Sequence, residues 1–345
     1  MNMKLSRYII FTAAINPDDR LDMQNRIIYS TVTNTSIVVK QPVVDQLSDG
    51  KFDSLDPDLV RQLLRANILV PDDRDEFSAV LAENRVANGQ FTSLNMVWDG
   101  MEPSADLTRI IQLSEKYLEQ SDQYDIPYKA SMVTDGAGLT KEIFETLFYR
   151  CAIKNFHITW TPDFEAVFHT IERILREVPF TPRDGVIFEI RINIDNANQD
   201  APFGLIDMFA NHNFQNRVTF RFAAAAGTST IGPGNTGGFD TKEFAELEFE
   251  YLLHAIQKGF IQSILPARTF APCPAVGENS VVADQYYKDI CYSCSLFPSC
   301  GGGCRLKDEE EESACPPFKY NIEDRLILNY IYQKSGFNNL MASPF

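Results

Sequence analysis

The chain has 345 residues, of which 44% are hydrophobic and 23% are charged, which is enough for one large α/β domain and smaller modules. Its formal net charge at pH 7 is -16 and its sequence pI is about 4.7. No basic stretch interrupts this acidity, which argues against a nucleic-acid groove because phosphate binding needs clustered lysine and arginine. The first apolar run, of about seven residues, is too short for a signal sequence, and no later run reaches the roughly 18 residues of a membrane span. We therefore predict a cytoplasmic protein with no nucleic-acid or membrane partner.

Residues 1–76 begin with strand patterns and continue with helical ones. The segments "RYIIFTAA" and "RIIYSTVTNTSIVV" alternate like half-buried strands, and a Thr-Asn-Thr turn divides the second into two arms. Helices are predicted in "PVVDQLSDG", which has a glycine stop, and in "DPDLVRQLLRANILV", which opens with an acidic cap and extends its pattern to Ile68. A hairpin followed by helices predicts a small winged-helix-like module, with a helical linker at 77–93.

From residue 94 to 265, strand patterns alternate with amphipathic helical patterns, which is typical of parallel βα units. Strands are predicted at "LNMVW", "YKASMVTDG", "NFHITW", "VIFEIRINID" and "RVTFRFAAA". Such units form a partial barrel or an open sheet, whose ligands bind at the carboxyl ends of the strands. Each polar residue there is also explained by turn chemistry when taken alone, but their shared position predicts a site. These residues are Asp99, Gly100, Glu102, Thr134, Asp135, Gly136, Arg191 and Asn193.

Six of the seven cysteines fall in the last quarter of the chain. They are Cys273, Cys291, Cys294, Cys300, Cys304 and Cys315, and the middle four have the spacing C-x2-C-x5-C-x3-C. In a reducing compartment this crowding favours metal binding over disulfides, and the nearby glycines allow backbone N–H groups to approach sulfur. A structural zinc site takes four ligands, so the remaining cysteines indicate a second centre or a spare thiol. Spacing alone leaves iron–sulfur clusters and zinc equally open, with disulfides or free core thiols as a further alternative.

The tail resembles the SPASM domain, which carries auxiliary iron–sulfur clusters in radical S-adenosylmethionine (radical SAM) peptide-modifying enzymes. Segments of the barrel region resemble the same family. "WDGMEP" is similar to its Gly-Gly-Glu-Pro segment, with Met101 in place of one glycine, "SMVTDGAGLT" to its Thr-Asn-Gly turn, and "EIRINID" to its Arg-x-Asn strand. The resemblance implies a leader-peptide recognition module at 1–76, a partial (β/α)6 TIM-type barrel at 94–265 and a SPASM domain at 266–345.

The resemblance also implies an enzymatic function. A ribosomally synthesised precursor peptide with a leader would be modified after hydrogen abstraction by a 5′-deoxyadenosyl radical. The cofactors would be S-adenosylmethionine, one radical SAM 4Fe–4S cluster and up to two auxiliary clusters, with a reductant such as flavodoxin or ferredoxin. The residues implied to bind S-adenosylmethionine are Gly100, Glu102, Pro103, Thr134, Asp135, Arg191 and Asn193. Cys291, Cys294, Cys300 and Cys315 would hold one auxiliary centre, while Cys273 and Cys304 would belong to the other.

The sequence departs from the family at its defining motif. It contains no C-x3-C-x2-C triad, so the thiolates that leave one iron open to S-adenosylmethionine are absent. Segments of the family near 88–96, 159–164 and 284–287 are shortened as well. One interpretation is that the full enzyme is longer at these places. The alternatives are a catalytically inactive pseudoenzyme that acts as a peptide-binding partner subunit, and a zinc-stabilised α/β scaffold.

Three single features complete the predictions. The segment "RIIYSTV" is either an edge at which the leader peptide adds a strand or part of an ordinary hairpin packed on its own helices. His157, within "NFHITW", is predicted to be a hydrogen-bonded core histidine and not a base. Cys151 is predicted to be a buried core thiol, because an isolated cysteine beside apolar helix residues usually behaves as a small hydrophobic side chain.

Overall fold

The computed structural model describes residues 2–15, 25–89, 93–100, 102–162, 164–225, 239–266, 289–301 and 315–334. The chain divides into two compact units. One consists of Met1–Gln90 with Ser263–Phe345, and the other of Phe91–Gln262. Within the described ranges, no helix combines the length and the apolar character needed to cross a bilayer.

The unit that contains both chain ends opens with short strands and helices. These are β1 (Met3–Leu5), β2 (Ile9–Phe11), β3 (Asn25–Ser30), β4 (Thr35–Lys40), α1 (Gln41–Ser48), α2 (Pro57–Arg65), β5 (Leu69–Pro71) and α3 (Glu76–Gly89). β2, β3 and β4 form an antiparallel sheet in that order, and β1 pairs antiparallel with β5. The predicted hairpin is confirmed as β3 and β4, whose turn ends at Asn34 with a φ of 53°.

Helix α2 begins as predicted and ends early. The Asp56 side chain caps it by accepting hydrogen bonds from two backbone N–H groups of the first turn. Its apolar pattern continues to Ile68, yet the helix stops at Arg65, and Asn67 adopts a φ of 53°. The following residues form β5 because pairing with β1 satisfies their backbone groups and buries their side chains.

The segment "RIIYSTV" is not a sheet edge. β3 lies between β2 and β4, and beyond the short β2 its carbonyls accept hydrogen bonds from the backbone N–H groups of Thr12 and Ile15. The expectation that a leader peptide adds a strand there is therefore wrong, since the required backbone groups are already bonded. β4 is an edge of this sheet, because among the described strands it pairs only with β3.

The described part of the cysteine-rich tail belongs to the same unit. It forms α9 (Asp289–Ser293), α10 (Phe297–Cys300) and α11 (Phe318–Lys334). Ile27 and Tyr29 of β3 share an apolar cluster with Leu296 and with Ile322 and Leu326 of α11. This common core holds the two ends of the chain together in one unit.

The second unit is a parallel sheet with its connecting helices. Its elements are β6 (Leu94–Trp98), α4 (Pro103–Tyr124), β7 (Tyr128–Thr134), α5 (Lys141–Glu145) with a π-helical extension (Thr146–Arg150), β8 (Ile153–Thr159), α6 (Glu165–Glu177), β9 (Phe188–Ile194), α7 (Ala201–Asn211), β10 (Val218–Ala224) and α8 (Thr241–Gln257). The strand order is β10-β9-β8-β7-β6, and every pair is parallel.

This strand order is that of a barrel segment. Consecutive strands are neighbours throughout, whereas a doubly wound sheet reverses its order at a switch point. The predicted α/β fold with parallel βα units is confirmed. The described residues contain five strands of this sheet, where a partial barrel of six units was predicted.

One face of the sheet packs against the helices in a phenylalanine-rich core. The ring centroid of Phe144 lies 4.8 Å from that of Phe156 and 5.7 Å from that of Phe188. Cys151 is fully buried in this core, which confirms the prediction, and burial raises the pKa of its thiol. The abundance of phenylalanine is therefore explained by packing.

Strand β9 shows how the two faces differ. Its apolar side chains at 188, 190, 192 and 194 are at most 1% exposed, while Glu189, Arg191 and Asn193 alternate with them. We call the face that carries these polar side chains the open face. On the neighbouring strands the strand registers place His157, Thr159, Thr219, Arg221 and Ala223 on it. Parallel sheets are usually apolar on both faces because both are covered, so a polar face indicates a place for a ligand.

Candidate functional site

Glu102 stands at the carboxyl end of β6, directly before the first residue of α4. Gly100, with a φ of 70°, turns the chain from the strand toward the helix, and Pro103 occupies the first helical position. The Thr134 Oγ1 hydroxyl, at the end of β7, donates to Glu102 Oε1 over 3.5 Å. The structure thus joins the ends of two neighbouring strands at one carboxylate.

The turn after β7 fixes the other side of this site. Thr134 Oγ1 accepts a hydrogen bond from the Gly136 N–H at 3.1 Å, and Asp135 Oδ1 accepts one from the Ala137 N–H at 2.8 Å. The Glu102 side chain is exposed, but its partial desolvation raises the pKa of its carboxyl, and the nearby Asp135 carboxylate raises it further. Neither carboxylate has an ion-pair partner in the described part of the chain, so a bound cation would relieve their repulsion.

Gly138 leaves the space that this arrangement needs. A β-carbon at this position would lie 2.5 Å from Ser104 Oγ and 3.3 Å from Glu102 Oε2. The loop after β7 therefore approaches the first turn of α4 more closely than a side chain at 138 would permit. Sequence reasoning missed Ser104 and Gly138, although the glycine-rich "DGAG" that follows β7 signals close backbone approach.

Arg191 and Asn193 lie elsewhere on the sheet. Both are on β9, and β8 separates this strand from β7. The Asn193 side chain is exposed, and its backbone carbonyl accepts a hydrogen bond from Asn198 Nδ2 at 3.0 Å. The residues predicted to contact S-adenosylmethionine thus form two groups, one at the ends of β6 and β7 and one on β9.

Glu189 is the centre of a charged cluster on the open face. Its Oε1 atom accepts hydrogen bonds from His157 Nδ1 and from Arg191 Nε, each at 2.8 Å. Burial by itself would raise the pKa of Glu189, but these two bonds and the charges behind them lower it to about 2. Glu189 is therefore an ionised anchor for two neighbouring side chains.

The prediction for His157 is right about its hydrogen bond and wrong about its position. The side chain is 18% exposed and lies on the open face, outside the phenylalanine-rich core. The hydrogen bond between His157 Nδ1 and Glu189 Oε1 fixes the orientation of the imidazole ring. The alternation of Glu189, Arg191 and Asn193 with isoleucines signals a polar face in the sequence, but it does not signal the pairing with His157.

The structure describes four of the six predicted metal ligands. Cys291, Cys294, Cys300 and Cys315 are reduced, partly exposed thiols, and Cys273 and Cys304 lie outside the described residues. Within the part of the chain that is described, no three His, Cys, Asp or Glu side chains converge as a metal site would require. A metal centre at these thiols therefore stays a prediction.

Two neighbours of the thiols fit an anionic sulfur-containing group. Lys319 Nζ donates to Cys315 Sγ at 3.3 Å. Burial alone would lower the pKa of Lys319, but the Cys315 and Cys294 thiols raise it. Tyr8 belongs to an apolar cluster against which Cys291 and Cys294 pack, and its fully buried hydroxyl has no hydrogen-bond partner in the described structure. Buried donors beside thiolates commonly donate to a cluster, so these residues fit an iron–sulfur centre.

The chain matches no protein-family model and no curated protein. Among solved structures it is similar to native anSMEcpe with bound AdoMet, at 14% identity and a TM-score of 0.45 over 78% of this chain and 91% of that chain. Native anSMEcpe with bound AdoMet and Cp18Cys peptide gives 14% identity and a TM-score of 0.44, over 77% and 92% of the two chains. Hexahistidine-tagged anSMEcpe with bound AdoMet gives 16% identity and a TM-score of 0.42, over 78% of this chain and 87% of that chain. All three TM-scores are below 0.5.

Proposed function

We propose that this protein is a radical SAM peptide-modifying enzyme that binds S-adenosylmethionine at the carboxyl end of its parallel sheet. The observation that carries the proposal is the position of the Glu102 carboxylate, which accepts a hydrogen bond from Thr134, lies beside Asp135 and has no ion-pair partner among the described residues. The ammonium group of S-adenosylmethionine would supply the missing positive charge through a charge-assisted hydrogen bond. The similarity of "WDGMEP" to the family's Gly-Gly-Glu-Pro segment supports the same assignment.

Each residue of the site has a proposed role. Gly100 and Pro103 shape the turn that presents Glu102, and Thr134 holds its carboxylate by donating a hydrogen bond. Asp135 adds a second negative charge beside the ammonium. Arg191 and Asn193 would face the remainder of the cofactor and the peptide on the open face.

The tail thiols would hold auxiliary iron–sulfur centres. Cys291, Cys294, Cys300 and Cys315 are proposed for one centre, and Cys273 and Cys304 for the other. Tyr8 and Lys319 would donate hydrogen bonds to sulfur and so stabilise the anionic group. Such a centre supplies electron transfer when bound. The radical-generating cluster is not assigned, because the chain lacks the C-x3-C-x2-C triad that would hold it.

The missing triad favours a second candidate function, a pseudoenzyme that binds a precursor peptide for a partner subunit. In both cases the edge strand β4 would take the leader by strand addition, since its outer backbone groups lie at the sheet edge and Val38 is 39% exposed. The two functions differ in one property. The enzyme must bind S-adenosylmethionine, and the pseudoenzyme need bind only the peptide.

Equilibrium dialysis with labelled S-adenosylmethionine separates these functions. Glu102→Gln keeps the size of the side chain and removes its charge, so the enzyme proposal predicts affinity at least about tenfold weaker than that of wild type. Glu115→Gln is the matched control, because Glu115 pairs with Arg150 on the outside of the same unit. Equal binding by wild type and E102Q would refute the ammonium site. Leader-peptide binding without S-adenosylmethionine binding would establish the pseudoenzyme.

A further inference from the structure

Two arginines lie side by side on the open face of the sheet. The register of β9 and β10 pairs Arg191 directly with Arg221. Neighbouring strands are about 4.8 Å apart, so the two side chains start from adjacent positions on this face. Like charges directly opposite each other destabilise a sheet, so this pair has a cost that a ligand of opposite charge would remove.

Glu189 offsets only one of these charges. It accepts a hydrogen bond from Arg191 Nε at 2.8 Å, which fixes the direction of the guanidinium and leaves its two terminal nitrogens for a ligand. Among the described residues, neither those terminal nitrogens nor the exposed Arg221 guanidinium has a partner. The free nitrogens form a fork of the kind that binds both oxygens of one carboxylate.

The next position along the two strands provides room for a ligand. Asn193 pairs in register with Ala223, and both are exposed on the open face. The small Ala223 side chain leaves space beside Arg221, while the Asn193 amide adds a donor. The place is therefore open toward the carboxyl ends of the strands, where the proposed cofactor site also lies.

The arginine pair lies apart from the place proposed for the ammonium group at Glu102. Glu102 contacts the end of β7, whereas β9 and β10 lie two and three strands away, which is about 10 and 14 Å along the sheet. One carbon atom joins the ammonium and carboxylate groups of an α-amino acid. This separation favours a different anionic ligand for the arginine pair.

We propose that Arg191 and Arg221 bind a side-chain carboxylate of the peptide substrate, with Glu189 as the positioning residue of Arg191. The enzyme would then select peptides with an acidic residue next to the reacting segment. The peptide nature of the ligand rests on the proposed function, while the choice of a carboxylate rests on the arginine pair. Because the chain carries a net charge of -16, an acidic peptide needs such a local positive site to bind.

Three short peptides test the proposal by isothermal titration calorimetry. They are acetyl-Gly-Glu-Gly-amide, its glutamine analogue, and acetyl-Gly-Gly-Gly with a free terminal carboxylate. We expect the glutamate peptide to bind at least about tenfold more tightly than both others, and Arg221→Gln to abolish this preference. Arg221→Lys keeps the charge without the fork, so it should retain only part of the preference.

Lys129→Gln is the matched control. Lys129 is exposed on β7, in register with Asn95 on the open side of the sheet, so this variant removes one positive charge at a distance from the arginine pair. We expect its preference for glutamate to stay within about twofold of wild type. An equal loss in K129Q and R221Q, equal binding of the glutamine analogue, or tighter binding of the terminal carboxylate would each overturn the proposal.

The same variants separate this proposal from the proposed function. R221Q should bind S-adenosylmethionine as wild type does, because Glu102 is remote from Arg221. If S-adenosylmethionine fails to bind while the glutamate preference depends on Arg221, the proposed function fails and the carboxylate site stands. If S-adenosylmethionine binds and the peptides are not distinguished, the carboxylate site fails and the proposed function stands.

Discussion

Glu189→Gln removes the charge at the centre of the open-face cluster and keeps the size of the side chain. The pKa of Glu189 is about 2 against an ordinary 4.5, a difference of about 2.5 units. Each unit corresponds to about 1.36 kcal/mol, so ionised Glu189 stabilises the folded sheet by about 3 kcal/mol at pH 7. We expect E189Q to lose most of this free energy of unfolding.

The loss depends on pH in one direction. Because the folded-state pKa of Glu189 is lower than the unfolded-state value, the contribution is fully present above pH 4.5 and is lost as the pH falls toward 2. At about pH 3 only about 1 kcal/mol of it remains. The free energies of unfolding of wild type and E189Q should therefore converge at acidic pH.

Urea unfolding followed by tryptophan fluorescence measures this difference in free energy of unfolding for the compact unit that contains the parallel sheet. Trp98 and Trp160 are the two tryptophans of the chain, and both lie in the sheet unit. The control is Glu115→Gln, since the exposed Glu115–Arg150 pair, at 2.7 Å, is of a kind that contributes about 0.2–1 kcal/mol. A loss in E189Q no larger than in E115Q at pH 7, or one that does not shrink by pH 3, would refute the reasoning.

Three further substitutions test other parts of the structure. Gly136→Ala should lower the free energy of unfolding of the sheet unit by about 2 kcal/mol in the same urea assay, because Gly136 has a φ of 81° and a β-carbon there would lie 2.7 Å from Val167 Cγ1. Asp56→Ala should lower the free energy of unfolding of the unit with the chain ends by about 1 kcal/mol, measured by thermal unfolding followed by circular dichroism. Asp56→Asn should restore this free energy. Tyr8→Phe should change the reduction potential of an iron–sulfur centre without changing its iron content, and a potential equal to that of wild type would show that the hydroxyl does not donate to the centre.

The fold of the sheet unit follows from hydrophobic periodicity. Each of its five predicted strands overlaps a strand of the parallel sheet, because alternating and continuous apolar patterns are local and the connecting helices repeat them regularly. The sequence contains no such pattern that would predict the pairing of β1 with β5. These strands have three residues each, and only their tertiary contact makes them strands.

Part of the candidate site could be predicted from the order of the parallel strands. Glu102 and Thr134 follow neighbouring parallel strands, so their proximity could be expected from strand order alone. The cluster of His157, Glu189 and Arg191 could not be expected from strand order, because polar residues that alternate along a strand equally suit a solvated face. The register between β8 and β9 is what places His157 beside Glu189.

Cysteine spacing identifies candidate ligands but not their geometry. It gives no hint that Tyr8, near the start of the chain, shares an apolar cluster with Cys291 and Cys294. This contact arises because strands of the first module and helices of the tail share one apolar core, which is a long-range property of the fold. Contacts of this kind leave no periodic signal in either segment.

The claim with the widest consequences is that the tail thiols hold iron and sulfide. Iron, zinc and acid-labile sulfide should be measured per chain in protein prepared without oxygen. We expect iron and sulfide in equal amounts, about four of each for every filled 4Fe–4S centre, and their loss when Cys291 and Cys294 are both replaced by serine. Zinc bound without inorganic sulfide would contradict the claim.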